Sequence, residues 1–241
     1  MQFVGIDLSI NYPAFCVSED FETFEFFGFV NDPRISNSNL QYVLSETAKY
    51  DGVTVSHIAY ERKSAGTYHV DERNKLMNFN HIVAQMLIEI KKRVANDKMV
   101  LAMEGISYGS KGSALVDICM LTGMFRRAVL IDLLSNDANR LFVFSPSELK
   151  NAIGIKGNGT KTEVLAQFID EPGIPSVLES GMWRFMHDHI PHSDENNLLA
   201  SEYVYNTNKD KVGSPFNDMI DAYLSVLKIY KSSGAGGADE S

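Results

Sequence analysis

The chain has 241 residues, 44% of them hydrophobic, enough for one substantial core and within the size range of a single α/β domain. No apolar run approaches the roughly 20 residues that a bilayer span needs, and the first strand-like stretch follows Met1-Gln2 without a basic leader, so a soluble, cytoplasmic protein is expected. A formal net charge of -9 argues against a protein that coats nucleic acid through many neutralised phosphates, yet it leaves room for one whose basic contacts are local. Cys16 and Cys119 lie in apolar surroundings without C-x-x-C spacing and are read as buried thiols rather than a disulfide or a zinc site.

The opening predicts three short strands over residues 3–8, 14–18 and 23–30, separated by Asn11-Tyr12-Pro13 and Glu19-Asp20, the pattern of an antiparallel meander. A polar stretch over 31–39 leads into a short helix over 40–50 and a further strand over 55–60. Across 71–95, Leu76, Phe79, Ile82, Val83, Met86, Leu87 and Ile90 recur close to the helical period and predict a long amphipathic helix. A compact apolar run over 99–103 ends at Glu104-Gly105, as a buried strand would. A second helix is predicted over 115–134 and a strand over 141–144.

Ser145-Pro146-Ser147-Glu148 combines a capping serine, a proline at the first helical position and a glutamate at capping-box spacing, so a short helix opens there and ends near Gly154. A glycine-lysine loop over 155–160 precedes a helix over 161–169. Residues 171–213 lack a clear period and read as an irregular insertion with a helical turn around Trp183 to Met186. Met219, Tyr223, Val226, Leu227 and Tyr230 stripe a final helix over 217–230, and the small, polar tail over 232–241 is expected to be disordered. The order of elements describes one domain over 1–231, a mixed sheet covered by helices on both faces, with the irregular insertion over 171–213.

Four carboxylates stand out. Asp7 lies in Val4-Gly5-Ile6-Asp7-Leu8-Ser9, an apolar strand where an ionised group is costly unless it is paired or binds a cation; the bland reading is a strand-end aspartate that caps a turn. Glu104 repeats the pattern at the end of the most hydrophobic strand. Asp218 and Asp221 are three apart at a helix start and project from one face, where they repel unless a cation lies between them. Magnesium takes a few carboxylates together with waters and phosphate oxygens, and two such ions about 4 Å apart activate a water and steady a leaving oxygen. The four residues are thus expected to be catalytic and metal-binding, with Asp7 as the bridge because a central strand carries it.

Gly5-Ile6-Asp7-Leu8-Ser9, Met103-Glu104-Gly105 and Asn217-Asp218-Met219-Ile220-Asp221-Ala222 resemble, in order and context, the metal-binding segments of the RuvC-type Holliday junction resolvases, a branch of the RNase H-like superfamily. Ser113-Ala114-Leu115 through Gly123 and Arg126, Phe144-Ser145-Pro146-Ser147-Glu148-Leu149-Lys150 and Lys156-Gly157-Asn158-Gly159-Thr160-Lys161 resemble further anchors of that family. The resemblance implies an RNase H-like α/β fold built on a mixed five-stranded sheet, three antiparallel strands followed by parallel ones. It implies a homodimer that uses two magnesium ions per active site, with manganese as a substitute, to nick branched DNA. Lys150, Lys156 and Lys161 would contact phosphates, Tyr108 would stack on a base near the branch point, and Lys111 would join the DNA-binding set. Relative to that family the chain has insertions near 31–53 and 171–213, and these with the acidic charge suit a viral or otherwise divergent member.

Three other readings stay open: a nuclease of the same fold acting in packaging or on RNA–DNA hybrids or flaps, an actin-like phosphotransferase, and a silent scaffold. The phosphotransferase needs a duplicated second half, for which the chain is short, and four intact carboxylates count against a silent scaffold. His187, His189, His192 and Asp194 imitate a metal site, but their irregular spacing reads as polar surface in a loop.

Overall fold

The structure, a computed structural model, describes residues 1–58, 66–95, 98–106, 112–189, 205–206 and 211–234. Strands β1 (Gln2–Asp7), β2 (Ala14–Glu19) and β3 (Thr23–Val30) form the meander, β2 running antiparallel to both neighbours. β4 (Val53–His57) runs parallel to β3, β5 (Met99–Glu104) parallel to β1, and β6 (Leu141–Phe144) parallel to β5, in the order β4-β3-β2-β1-β5-β6. This is the expected mixed sheet, a meander followed by parallel strands on the far side of β1. It has six strands where the resemblance implies five: the strand predicted over 55–60 forms as β4 over Val53–His57, docks in parallel against β3 and extends the meander edge. Five strands therefore point one way, and the carboxyl ends of β1, β3, β4, β5 and β6 line a single rim of the sheet.

Helices α1 (Asn37–Thr47), α2 (Tyr68–Lys91), α3 (Ser113–Asp132), α4 (Pro146–Ala152), α5 (Lys161–Asp170), α6 (Gly181–His189) and α7 (Phe216–Ser232) cover both faces. Strand alternation sorts the residues. Val4 and Ile6 of β1 meet α2 and α3 through Phe79, Ile82, Met86, Leu121, Phe125 and Val129. Phe3 joins the other core, where α7 supplies Met219, Tyr223 and Val226 and where α5 and α6 also pack. Gly5 shares that second face. A Cβ there would lie 2.0 Å from the Ala222 carbonyl oxygen and 2.9 Å from Val226 Cγ2, so the missing side chain is what lets α7 lie directly on β1. Asp7, two residues on, leaves the strand on the same face.

Local signals account for most boundaries. The capping box forms as expected at Ser145, whose side chain accepts from the Glu148 N–H, and α4 runs from Pro146. α1 starts earlier than expected because Ser36 accepts from the Asn39 N–H. α6 is nine residues rather than one turn, with Met182, Phe185 and Met186 buried, and a 3-10 turn over Pro175–Glu179 precedes it. Cys16 is buried as expected, but Cys119 is exposed: Leu121, Thr122 and Phe125 fix the inward face of α3, and position 119 falls off it. Tyr205–Asn206 and Lys211–Val212 pair as a small antiparallel ribbon. Among the described residues no helix is long and apolar enough to cross a membrane. The expected tail begins inside the last turn of α7, and residues 235–241 lie outside the described residues.

Candidate acidic centre

The rim beneath α7 gathers the four carboxylates. Ile6 pairs with Met103 in the parallel β1–β5 ladder, so Asp7 and Glu104, the next residue of each strand, end side by side. α7 brings Asp218 in its first turn and Asp221 one turn later, and Ser214 donates to Asn217 Oδ1 at 3.0 Å just ahead of them. Asp218 is 6% exposed, and its Oδ2 is buried without a hydrogen-bond partner.

Each of these groups feels the others. Burial, then the Asp218, Asp221 and Glu104 charges, push the Asp7 carboxyl well above the usual carboxylate range. Burial pushes Glu104 up to about 7, Asp221 adding to the rise while Lys161 and Lys150 oppose it. Burial pushes Asp218 up to about 6, with Lys161 and Ser214 holding it down. Lys161 is the cation common to the group. Its Nζ donates to Asp221 Oδ2 at 3.1 Å; burial pulls the ammonium down, but Asp221, Asp218 and Asp7 outweigh burial and hold it above its ordinary value. A lysine as first residue of a helix also stands against the helix dipole, a placement that the carboxylates opposite compensate.

The donor set fits a hard divalent cation: all oxygens, largely desolvated, with one orphaned oxygen on Asp218. Among the described residues no three His, Cys, Asp or Glu side chains are drawn as close together as a metal's ligand shell requires. Asp7, Glu104, Asp218 and Asp221 face one another with Lys161 among them. A pH dependence follows. Carboxyls whose folded pKa is raised favour folding while protonated, so this contribution is complete below the ordinary carboxylate values and is lost as pH rises through about 6 to 7. In chelator the protein is expected to lose on the order of 2 kcal/mol, roughly 5 °C in Tm, between about pH 5 and about pH 8, and magnesium should restore most of it. Thermal melts at both pH values check this; a Tm in chelator that climbs over that interval contradicts the electrostatic reading of the centre.

The basic residues fall into different places. Lys161 is in the centre itself. Lys150 Nζ donates to the Gly159 carbonyl at 2.6 Å and ties down the glycine-lysine loop, while its charge still reaches Glu104. Gly157 packs against Ser147 and Gly159 against Ile155, where a Cβ would come within 2.7 and 2.2 Å of side-chain carbons. Lys156 is exposed on that loop. Tyr108 and Lys111 lie outside the described residues, as do His192 and Asp194. His187 and His189 sit on α6 rather than in a loop: His187 stacks on Trp183, and His189 stacks on Phe185 with its Nε2 3.5 Å from Glu46 Oε2. Sequence reasoning missed Lys161 as a partner of the carboxylates. It also missed Ile118 and Thr122 of α3, which line a cavity of about 150 Å³ with Asp7, Leu8, Glu104, Gly105 and Ile106. Their only signal was the inward phase of α3.

No protein-family model and no curated protein matches the chain. Solved structures are similar to it, two of them as follows. One is described as the Thermus thermophilus RuvC structure, 13% identical, with 97% of each chain covered and a TM-score of 0.45. The other is described as T. thermophilus RuvC in complex with Holliday junction substrate, 11% identical over 97% of this chain and 96% of that one, also at 0.45.

Proposed function

We propose that the chain is a magnesium-dependent, structure-selective DNA endonuclease that nicks Holliday junctions or other branched DNA and works as a homodimer. The observation that carries this reading is the meeting of Asp7, Glu104, Asp218 and Asp221 from two strand ends and one helix, where burial and mutual repulsion hold carboxyls out of their ordinary range. A protein keeps such a cluster, at a cost in stability, where a cation and a phosphate are to be bound.

Asp7 and Glu104 would hold the metal from the strand ends and Asp218 and Asp221 from α7, Asp7 being central to the set. Bound magnesium supplies activation of a water and neutralisation of charge on the leaving oxygen. The chain's own residues do the rest. Lys161, with Lys150 beside Glu104, offers positive charge to phosphate oxygens next to the carboxylates. The strand ends and the first turn of α7 fix the carboxylates on rigid elements, which sets the reacting phosphate in one orientation.

The test compares a synthetic four-way junction with flap, linear duplex and RNA–DNA hybrid substrates, side by side, in magnesium and in calcium. Paired nicks in the junction with magnesium, and binding without cutting in calcium, are expected. Preference for a hybrid or a flap would move the reading to another nuclease of this fold. ATP turnover without any cutting would replace it with a phosphotransferase.

A further inference from the structure

Lys150 of α4 and Lys161 of α5 reach the centre from helices packed against α7; past the end of β3 stands an arginine with a buried support. Asp32, two residues past the end of β3, is 6% exposed, a costly place for a carboxylate without partners. Arg34 supplies them: Nε donates to Oδ1 at 2.9 Å, Nη2 to Oδ2 at 2.8 Å and the backbone N–H to Oδ1 at 3.0 Å, while the Tyr12 hydroxyl donates to Oδ2 at 2.9 Å. Hydrogen bonding from Arg34 holds the Asp32 carboxyl down at about 2. Yet the Arg34 side chain is 78% exposed. A buried carboxylate thus fixes the plane of a solvent-facing guanidinium, and its grip takes the Nε/Nη2 edge, leaving the Nη1 side of the fork for a ligand.

The position suits a ligand that also lies over the acidic centre. Asn31 Nδ2 donates to the Ile10 carbonyl at 2.8 Å and the Asn31 N–H to the Asn11 carbonyl at 2.7 Å, which fastens this segment to the turn that follows Asp7. Tyr12 and Ile35 pack on the α7-side core, the face that Asp7 takes. Asp7 pairs with Ala14 and Ala14 with Gly28, so β3 is two strand spacings from Asp7. That is roughly 10 Å from Asp7 to Gly28, and Arg34 lies six residues beyond Gly28, past the end of β3.

We propose that Arg34, oriented by Asp32 and Tyr12, is a phosphate-positioning residue that grips the DNA backbone on the β3 flank of Asp7. The ligand's identity rests on the nuclease reading above. An exposed arginine held only to brace its loop would need no such site beside it, and the two roles differ in salt dependence, because a phosphate contact releases counterions and a loop brace does not.

The test measures junction binding by the full chain in calcium over a range of salt, and nicking kinetics in magnesium. Arg34→Gln is expected to weaken binding roughly five- to tenfold, to lower the log–log salt slope by about one, and to raise KM with kcat within about twofold. Because Arg34→Gln strands Asp32, the double variant Arg34→Gln with Asp32→Asn, which keeps neutral hydrogen-bonding groups, should show the same loss. Arg34→Lys should keep the slope while losing part of the affinity. An unchanged slope in both glutamine variants, or a loss confined to kcat or to the folded fraction, overturns the proposal. Failure of the wild-type chain to bind the junction overturns the junction reading and the proposal together, whereas wild-type binding that Arg34→Gln leaves intact overturns the proposal alone.

Discussion

Asp7→Asn is expected to lower the nicking rate on the order of 10³-fold while leaving junction binding within about twofold of wild type. Asparagine keeps the shape at the end of β1 but removes the charge that faces Asp218, Asp221 and Glu104 at once. The same substitution is expected to raise the Tm of the metal-free protein, since it deletes a buried carboxylate that three like charges oppose. Opposite signs on stability and on activity mark a group kept for chemistry rather than for folding. Nicking assays, calcium-supported binding and melts in chelator separate the possibilities: a falling Tm together with lost binding would make Asp7 a structural residue.

Gly5→Ala is expected to be nearly as severe without touching a charge. Its Cβ would meet the Ala222 carbonyl at 2.0 Å, backbone against backbone, so α7 must retreat from β1. Overpacking of this kind costs about 2 to 3 kcal/mol. Because α7 carries Asp218 and Asp221, a displacement of about 1 Å should also lower nicking roughly 10²-fold. Gly28→Ala offers the contrast. Its Cβ would come within 2.6 Å of Met219 Cε, the far end of a flexible side chain that can turn away, so the loss should be smaller. Equal effects at the two positions, in melts and in nicking, would show that contact at Gly5 does not set the position of α7.

The sequence carries the acidic centre in local terms because each carboxylate interrupts a pattern: Asp7 and Glu104 end apolar strands, and Asp218 and Asp221 share one face of a helix start. Their meeting depends on the parallel β1–β5 register and on the close contact at Gly5, neither of which short-range periodicity encodes. Thr160 and Glu163 cap α5 with the same reciprocal box as Ser145 and Glu148, a signal present in the sequence but overshadowed by the lysines around it. Lys161 reads as a solvent-facing phosphate contact until its partner Asp221, sixty residues away, is placed beside it. α6 escapes recognition as a helix because Gly181 and two histidines dilute the buried spacing of Met182, Phe185 and Met186. Cys119 shows the limit of composition, since apolar neighbours in sequence do not decide which side of α3 a residue takes.

That α7 closes the sheet has a consequence for the timing of activity in the cell. β1 and β5 carry Asp7 and Glu104 early in the chain, but the other two carboxylates arrive only with residues 216–232. A nascent chain can pair its strands as they emerge, yet it holds only half of the acidic centre until the helix that completes the core has left the ribosome. An unfinished chain therefore lacks the complete centre, and the step that buries Gly5 beneath α7 is the step that assembles it.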